Sequence, residues 1–478
     1  MTGDLPSARI SPERWSAAHD RLVASLRDLI RIPSINPPDP PGAELEAARY
    51  LAGALDECGI PATVHEPVPG RGSVTARLRG DGTSGPPLLL LSHLDVVPAP
   101  PELWTHDPFG GDIADGYLYG RGAVDMKNLV AMELEVMRLL AGEARAAGRD
   151  PASDPVPGLR RDVLLASTAD EEAGGLAGAA WLALEHPETL RAAAAINEAG
   201  GVAAYVGERR LYPIQVAEKG TTVYRLTIHG TWGHGSMPRA ENAAVLAAEA
   251  ITRLSAPFPT RLTDTTRDLL DRATEATDGE ALRLLRAIRD GAGRATDRPL
   301  PGICLPIHAR ALDATLRDTL SVNVVRGGVK FNVIPGEAVL EIDCRRLPGT
   351  TEPEMEAAIR GRLGPELEAI TDIELVIESD AVVADHRDAA GLYPVLEAVI
   401  REHDPEGVPL PAMAPYSTDA KHLLELGVPT FGFSPMRQPP DETYLERWHG
   451  VDERVSLDGL RWGLPVLYDA VRRFCGGG

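Results

Sequence analysis

Three short apolar runs in the first half of the chain each end in a polar cluster. The runs occupy residues 88–91, 163–166 and 192–196, and SHLD, STADEE and NEAG follow them in turn. Continuous apolar runs of this length are typical of strands buried on both faces, as in a parallel sheet covered by helices. In open sheets of this kind, ligand groups gather at the carboxyl ends of the strands. We therefore expect the three clusters to meet at one edge.

Helical patterns lie between and after these runs. Four apolar residues recur at the spacing of one helix face: Leu129, Met132, Val136 and Leu140. Alternation of strands and helices indicates an α/β domain with a central mixed sheet flanked by helices. The same pattern returns late in the chain, as a helix over residues 392–400 and a strand over residues 428–433.

The pattern changes near residue 220 to an alternation with a period of two. Apolar side chains occupy every second position in residues 224–228, 338–342 and 373–377, and a helical pattern follows in residues 355–363. Such alternation predicts an antiparallel sheet with one face packed on helices. We therefore predict a smaller, two-layer α+β domain.

The positions of the two patterns predict the domain organisation. The smaller domain is expected at residues 219–381, inserted into an α/β domain that is formed by residues 1–218 and 382–478. A chain of 478 residues is also too long for one hydrophobic core. The middle of the insert, residues 262–320, is polar and rich in arginine, and it predicts additional helices of unassigned role.

Charge and composition exclude several classes of partner. The net charge of −22 disfavours nucleic acid and anionic membranes, because both attract positive surfaces. No apolar run has the length of a membrane span, and the first residues lack the apolar stretch of a signal peptide. The four cysteines are scattered, which is typical of reduced thiols. We therefore expect a cytoplasmic protein that binds neither nucleic acid nor membranes.

The polar clusters contain the side chains that metal sites use. Histidine or carboxylate groups follow each apolar run and recur before the helix at residue 127 and near the C-terminus: His93, Asp95, Asp125, Glu171, Glu172, Glu198 and His449. Taken singly, such residues are more often structural or solvated. Burying several carboxylates together without cations is costly, however, so their convergence at one sheet edge predicts a metal site.

The clusters also occur as motifs in a characteristic order. They are SHLDVVPA, DPFGG, DGYLYGRGAVDMK, ADEEAGG, INEAG, GHGSMP, NVIPGEA, DCRRLPG, STDA and HGVDER. In this order the sequence resembles the zinc-dependent family of aminoacylase, carboxypeptidase S, acetylornithine deacetylase and succinyl-diaminopimelate desuccinylase. The similarity covers nearly the whole chain except the middle of the insert. It implies a zinc-peptidase-like catalytic domain interrupted by a lid and dimerisation domain.

The resemblance assigns metal ligands and catalytic groups. It implies two Zn²⁺ ions per chain, with Co²⁺ or Mn²⁺ as possible substitutes. Asp125 would bridge the ions; His93 and Glu198 would bind one ion, and Glu172 and His449 the other.

The resemblance also implies catalytic roles. Glu171 would be the general base that takes a proton from water and passes it to the leaving nitrogen, and Asp95 would orient the imidazole of His93. His234 would stabilise the oxyanion, in dimeric members from the partner subunit. From the residues alone, His234 is equally well explained as a turn histidine between glycines.

Four further residues match substrate contacts of the family. Asn332 and Arg345 lie in the inserted domain, and Ser417 and Thr418 lie in a loop that holds the α-carboxylate in relatives. Arg345 suits a carboxylate because a guanidinium donates two hydrogen bonds at once, although an arginine at a strand end is also often a surface charge. Lys421 stands where the family often has arginine, which weakens bidentate recognition there.

These observations predict a metal-dependent hydrolase that cleaves the amide bond of N-acyl amino acids or small peptides with a free carboxylate. Glu198, rather than aspartate, at the third strand end favours the aminoacylase and carboxypeptidase types over aminopeptidases. A homodimer through the lid domain is also expected. Two alternatives stay open: a catalytically inactive homologue that acts as a binding module, and a dimetal amidohydrolase of a carbamoyl or cyclic amide substrate.

Overall fold

A computed structural model describes residues 5–36, 42–291 and 304–476. The helices in these ranges are α1 (Pro12–Arg31), α2 (Glu44–Asp56), α3 (Lys127–Ala146), α4 (Ala179–Glu185), α5 (Ala243–Leu254), α6 (Asp264–Ala276), α7 (Gly279–Arg289), α8 (Pro306–Thr315), α9 (Glu352–Glu368), α10 (Tyr393–His403), α11 (Tyr444–Arg447) and α12 (Leu457–Gly476). Capping residues explain where two of these helices begin. Ser11 caps α1 by accepting a hydrogen bond from the backbone of Arg14, and Thr351 forms a capping box with Glu354 at α9.

The strands follow the predicted change of pattern along the chain. They are β1 (Ala62–Val68), β2 (Arg71–Leu78), β3 (Leu88–His93), β4 (Ile113–Ala114), β5 (Tyr117–Tyr119), β6 (Val163–Thr168), β7 (Ala194–Asn197), β8 (Ala204–Val206), β9 (Arg209–Glu218), β10 (Gly220–His229), β11 (Gly233–His234), β12 (Thr319–Gly327), β13 (Val333–Ile334), β14 (Glu337–Arg346), β15 (Thr371–Ser379), β16 (Val382–Val383), β17 (Val408–Ala414), β18 (Thr430–Gly432) and β19 (Arg454–Ser456).

The main sheet has the order β1-β2-β6-β3-β7-β18-β9-β16, and β8 and β17 also pair with β9. It is mixed, because β3 runs parallel to β6 and β7 whereas β2 runs antiparallel to β6. Leu88 and Leu90 of β3 pack in a core with α1, α3 and α12, while Leu89 and Leu91 pack in a second core with α4. This central sheet, buried on both faces, confirms the predicted α/β fold class.

A second sheet has the order β12-β14-β10-β15 and is antiparallel throughout. Alternate residues of β10 and β14, such as Leu226 and Leu340, pack against α5 and α9 to form a separate core. The expected alternation does not hold along β15. Leu375 and Ile377 are 43% and 52% exposed, because β15 is an edge strand and a bulge shifts its register against β10.

The polar segment between these strands returns to the main sheet. The apolar faces of α6, α7 and α8 form a core with Leu211 of β9 and Leu410 of β17. The three helices therefore cover strands of the main sheet, although they lie within the segment expected to form the lid. Lys219, which is fully buried, joins the two parts by donating hydrogen bonds to the carbonyl oxygens of Ala314 at 3.0 Å and Arg317 at 2.9 Å.

Two small antiparallel elements complete the fold. A ribbon pairs β11 with β13, so that His234 lies opposite Val333, and a three-stranded sheet has the order β19-β5-β4. None of the helices in the described ranges has both the length and the apolar composition that crossing a membrane requires.

Candidate metal centre

Five potential ligands converge at the carboxyl ends of three parallel strands. His93 is the last residue of β3, Glu172 lies in a short 3-10 turn after β6, and Glu198 directly follows β7. Asp125 precedes α3, and His449 follows α11. Sheet order makes β6, β3 and β7 neighbours, so three ligands that are far apart in sequence share one edge.

The ligand atoms form two groups that share one residue. In the first group, Nε2 of His93 lies 3.2 Å from Oδ1 of Asp125 and 3.6 Å from Oε2 of Glu198. In the second group, Nε2 of His449 lies 3.3 Å from Oδ2 of Asp125 and 3.1 Å from Oε2 of Glu172. Within each group all ligand atoms lie within 4.8 Å of one another. Asp125 therefore presents a different oxygen to each group, which suits a bridging carboxylate.

The electrostatics of the two groups favour cations. Burial and the nearby Glu198 carboxylate raise the pKa of Glu171 well above its usual value. Burial and the charge of Asp125 raise the pKa of Glu172 to about 7, and Oε1 of Glu172 is buried without a hydrogen-bond partner. Buried carboxylates need opposite charge nearby to stay ionised. Two imidazole nitrogens and three carboxylates are also donors that Zn²⁺, Co²⁺ and Mn²⁺ accept, so the residues fit divalent metal ions.

Asp95 links the two groups and is fully buried. Its backbone oxygen accepts a hydrogen bond from Nδ1 of His93 at 3.0 Å, which leaves the lone pair of Nε2 directed at the ligand group. Its carboxylate accepts hydrogen bonds from the backbone of Glu171 at 3.1 Å and Glu172 at 2.9 Å, and from the side chain of Asn36 at 2.8 Å. One residue thus orients His93 and the turn that carries both glutamates.

A second buried carboxylate, missed by the sequence reasoning, positions Asp125. Oε1 of Glu453 accepts hydrogen bonds from the backbone of Val124 at 2.8 Å and Asp125 at 3.1 Å, and Oε2 pairs with Arg121 at 2.5 Å. Glu453 follows His449 by four residues, and Arg121 precedes Asp125 by four. Their presence inside the HGVDER and GRGAVD motifs was the available signal.

The backbone beside the ligands adopts an uncommon conformation at three residues. Asp170, Ala199 and His449 have positive φ angles of 70°, 59° and 55°. This left-handed region is uncommon for residues other than glycine, although asparagine, aspartate and histidine visit it more often, so its cost is greatest at Ala199, where surrounding contacts must impose it. The three residues lie at the ends of the segments that present Glu171, Glu198 and His449 itself.

His234 is exposed on the ribbon of the smaller domain. Its Nδ1 accepts a hydrogen bond from the backbone N–H of Ser236 at 3.1 Å, so the imidazole hydrogen of the neutral ring lies on Nε2. The backbone oxygen of Asn332 accepts a hydrogen bond from Gly235 at 2.9 Å, and its side-chain Oδ1 is buried without a partner. The ribbon therefore presents a free donor and a free acceptor close together.

The other three expected substrate contacts, Ser417, Thr418 and Arg345, differ in whether their polar atoms already have partners within the protein. Oγ of Ser417 is buried without a hydrogen-bond partner, so it is available to a ligand. Thr418 differs from the expectation, because it is 1% exposed and its hydroxyl donates to Glu218 at 2.6 Å. The guanidinium of Arg345 pairs with Asp343 through Nε at 2.7 Å and Nη2 at 2.9 Å, and Nη1 donates a hydrogen bond to Thr221 at 2.7 Å. Asp343 therefore occupies the Nε–Nη2 edge that a substrate carboxylate would use for two hydrogen bonds.

The mixed sheet, the ligand groups at its edge and the inserted second sheet define a metal-dependent hydrolase. The chain belongs to the peptidase family M20/M25/M40, whose profile matches residues 89–473. This confirms the family that the order of the motifs indicated.

Relatives and solved structures agree with this family. The chain is 26% identical over 457 residues to an N-fatty-acyl-amino acid synthase/hydrolase of Xenopus tropicalis, covering 92% of this chain and 83% of the relative. It is 27% identical over 463 residues to aminoacylase-1 of Sus scrofa, covering 93% and 96%.

Two solved structures share the fold. An M20 family metallo-carboxypeptidase of Sulfolobus solfataricus has a TM-score of 0.71 at 17% identity, covering 95% of this chain and 99% of that one. Human carnosine dipeptidase 1 has a TM-score of 0.70 at 17% identity, covering 98% of both chains. At this identity the similarity shows the fold alone.

Proposed function

We propose that this protein binds two metal ions and hydrolyses the amide bond of N-acyl amino acids or small peptides with a free carboxylate. The observation that carries the proposal is the pair of ligand groups that share Asp125, three of whose residues lie at neighbouring strand ends. The names of the relatives support the substrate class, because they include an N-fatty-acyl-amino acid hydrolase and an aminoacylase. Cytoplasmic location stays a prediction from the sequence.

The residues that would hold the ions are His93, Asp125 and Glu198 for one, and Asp125, Glu172 and His449 for the other. Zinc is the expected metal, with cobalt or manganese as substitutes. When bound, the ions act as Lewis acids that lower the pKa of a water molecule towards neutrality. Asp95 keeps His93 in place through its backbone oxygen and the turn at Glu172 in place through its carboxylate.

Glu171 is proposed to move the proton. It lies beside the ligand Glu172, and its Oε1 is 4.0 Å from the ammonium group of Lys421. An ionised Glu171 accepts a proton from the attacking water and then donates it to the leaving nitrogen, so the C–N bond breaks and a free amine forms. Because Glu171 lies outside both ligand groups, its carboxylate is free for this transfer.

The ribbon of the smaller domain is proposed to stabilise the charge that develops on the carbonyl oxygen. Nε2 of His234 is the donor for this oxygen, and Asn332 and Ser417 offer further polar contacts to the substrate. Arg345 is also proposed to bind the substrate carboxylate, which then takes the place of Asp343 beside the guanidinium. Thr418 is instead proposed to support the loop, because its hydroxyl donates a hydrogen bond to Glu218.

A homodimer through the smaller domain is also proposed. Large apolar side chains on this domain are exposed, including Phe331 at 96%, Val329 at 80% and Val325 at 59%. Exposed apolar clusters of this kind mark interaction sites. Val325 lies on β12, an edge strand of the second sheet, so the cluster offers both an apolar surface and a strand edge.

The experiment is a hydrolysis screen of N-acyl amino acids and dipeptides on zinc-loaded protein, read by release of free amine. Chelation should abolish turnover, and added Zn²⁺ should restore it. Matched substrates with the carboxylate blocked as an amide should show a strongly raised KM. Equal turnover of the acid and its amide would contradict a free-carboxylate requirement, and less than one metal per active chain would contradict the two-metal centre.

A further inference from the structure

Arg71, the first residue of β2, is a buried arginine close to the turn after β6, although it belongs to neither ligand group. Its side chain is 9% exposed. Nη1 donates a hydrogen bond to Oε1 of Glu44 at 2.7 Å and lies 3.2 Å from Oδ1 of Asp170, while Nη2 donates to Oδ1 of Asn36 at 2.8 Å. One guanidinium therefore joins helix α2, the turn after β6 and the segment that follows α1.

The first arm of this arrangement reaches the turn directly through Asp170. This residue precedes Glu171, and its positive φ of 70° belongs to the uncommon left-handed region. Its Oδ1 faces Arg71, and its Oδ2 accepts a hydrogen bond from the backbone of Ala177 at 2.9 Å. Backbone of this kind persists where surrounding contacts impose it. Arg71 supplies one of these contacts at the residue where the chain turns from β6 towards Glu171.

The second arm reaches the same turn through Asn36. Its Nδ2 donates to Oδ2 of Asp95 at 2.8 Å, while its Oδ1 accepts from Arg71. A guanidinium only donates hydrogen bonds and a carboxylate only accepts them, so an amide between them can satisfy both. The backbone N–H of Asn36 also donates to the oxygen of Val96 at 2.9 Å. Asp95 in turn accepts the backbone N–H groups of the two glutamates in the turn. Both arms therefore end at consecutive residues of one turn.

The space around the guanidinium is restricted by Gly42, which is buried. A Cβ at this position would lie 2.5 Å from Oε1 of Glu44 and 2.7 Å from Nη1 of Arg71, both well inside van der Waals contact. Glycine thus leaves the room that the ion pair occupies. A single added methyl group at Gly42 would displace the guanidinium without removing any charged group.

We infer that Arg71 is a positioning residue that fixes the turn at residues 170–172, and through it the ligand group of Glu172 and His449 more than the other group. The other group depends less on Arg71, because the backbone oxygen of Asp95, rather than its carboxylate, accepts the hydrogen bond from His93. The inference rests on the proposed function, and it adds an asymmetry between the two ions. Because the proposed base lies in the same turn, Arg71 orients it as well.

Metal binding tests the asymmetry without reference to turnover. Full-length protein is titrated with Zn²⁺ in competition with a chelator. His449→Ala and Glu198→Ala each remove a ligand from a single group, so they identify which binding step belongs to which group. Arg71→Met and Asn36→Ala should weaken the step that His449→Ala loses by about 10–100-fold, and the other step by less than about threefold. Equal weakening of both steps, or of neither, overturns the inference.

Two of the variants avoid an uncompensated buried charge. Arg71→Met leaves the carboxylates of Glu44 and Asp170 without their cation, which can prevent folding. Asn36→Ala instead cuts only the link to Asp95, and Gly42→Ala keeps every charged group while it displaces the guanidinium. Both should weaken the same binding step. If both bind Zn²⁺ as the wild type does, the inference is overturned whatever Arg71→Met does.

The chain offers matched controls for these variants. Gly53→Ala lies on α2, where an added Cβ meets no atom within 4 Å, so it adds the same methyl group as Gly42→Ala without displacing Arg71. Arg77→Met removes an arginine from the same strand, where Arg77 pairs with Asp162 at 2.5 Å. Both controls should bind the two ions as the wild type does. A loss in the controls equal to that in Gly42→Ala and Asn36→Ala contradicts a specific role of Arg71.

Hydrogen exchange distinguishes failure of the inference from failure of the proposed function. Mass spectrometry of peptides from residues 168–178 follows the backbone N–H groups of Glu171 and Glu172 in the full chain, with and without Zn²⁺. Asn36→Ala should speed their exchange about tenfold or more, whereas Gly53→Ala should not. Faster exchange in a chain that binds fewer than two ions overturns the proposed function and supports positioning of the turn. Two bound ions and hydrolysis, with unchanged exchange in Asn36→Ala, overturn the inference alone.

Discussion

At the residue scale, Glu171 and Glu172 are neighbours with different surroundings. Oε2 of Glu172 lies 3.1 Å from Nε2 of His449, whereas Oε1 of Glu171 faces Lys421 at 4.0 Å. We expect Glu171→Gln to keep both metals and to lower kcat by about 10²–10⁴-fold, the usual effect of losing a general base. Glu172→Gln should instead lose metal. Kinetics with elemental analysis distinguishes them, and identical behaviour of the two variants would refute this division of roles.

Glu133 is a buried carboxyl on α3, behind the strand that carries His93. Its Oε2 accepts a hydrogen bond from Ser92 at 2.6 Å. Burial raises the pKa of Glu133 to about 8, although the hydrogen bond from Ser92 lowers it in part. The group titrates near pH 4.3 in an unfolded chain. Between about pH 4.3 and 8 the unfolded state therefore loses a proton that the folded state keeps, and this contribution to stability falls as pH rises.

Glu133→Gln removes this titration while it preserves the size of the side chain. As pH rises from about 5 to 8, the free energy of unfolding of the variant should increase relative to that of the wild type by up to about 1.4 kcal/mol per pH unit. Below the pKa that Glu133 has in the unfolded chain, the free energies of unfolding of the two proteins should differ by a constant amount. Urea denaturation at a series of pH values measures this, and a difference that stays constant from pH 5 to 8 would contradict the raised pKa.

At the element scale, Glu453, which is fully buried and directly precedes β19, holds the loop before α3 by accepting hydrogen bonds from its backbone. Glu453→Gln keeps all five proposed metal ligands, yet it replaces an acceptor of two backbone N–H groups and leaves Arg121 without its carboxylate. We expect metal affinity to fall about 10–100-fold, as it does when a group that orients a ligand is lost. Competition with a chelator measures it on protein whose circular dichroism is native.

The control for this variant is Glu446→Gln on α11. Glu446 pairs with Arg310 at 3.1 Å at an exposed position, and exposed ion pairs contribute little to stability. Its metal affinity should match that of the wild type. An equal loss in both variants would indicate a general effect of lost charge rather than positioning of Asp125.

At the scale of the whole molecule, the predicted dimer determines which site His234 serves. His234→Ala should lower kcat about 10²–10³-fold with unchanged metal content, the usual cost of losing one oxyanion donor. If the histidine acts in the partner's site, a mixture of His234→Ala and Glu171→Gln chains should recover part of the activity. A hybrid dimer would then contain one site with an intact base and an intact histidine. No recovery despite subunit exchange would assign His234 to its own chain.

Phe331→Asp tests the dimer itself. Phe331 is 96% exposed, so the substitution should not cost folding stability, whereas a charge in an apolar interface should dissociate the dimer. Light scattering should then show a monomer. Glu374→Asp, at an exposed polar position of the second sheet, is the matched control and should stay dimeric. A wild-type protein that is monomeric at all concentrations would contradict the interface.

The sequence predicted the candidate ligands and the strand ends that bring three of them together, but not the groups that position them. His93, Glu172 and Glu198 follow apolar runs, and parallel strands bring such ends together whatever their separation in the chain. The direction of the Thr418 side chain could not be predicted by the same reasoning. Its motif matches a substrate loop, but the direction of its side chain depends on Glu218, which lies 200 residues away in sequence. Glu453 was missed for the same reason.

The sequence by itself determined the two kinds of sheet and the family, because hydrophobic periodicity and motif order are properties of the chain alone. It could not decide which surfaces meet. The periodicity of α6, α7 and α8 predicts an apolar face, but only the tertiary structure places that face on β9 and β17 and leaves a cavity beside Trp448. Exposure of Leu375 and Ile377 likewise depends on β15 being an edge strand. Whether a face is buried depends on two elements that pack together. The pattern of a single segment predicts only which face of its own element is apolar.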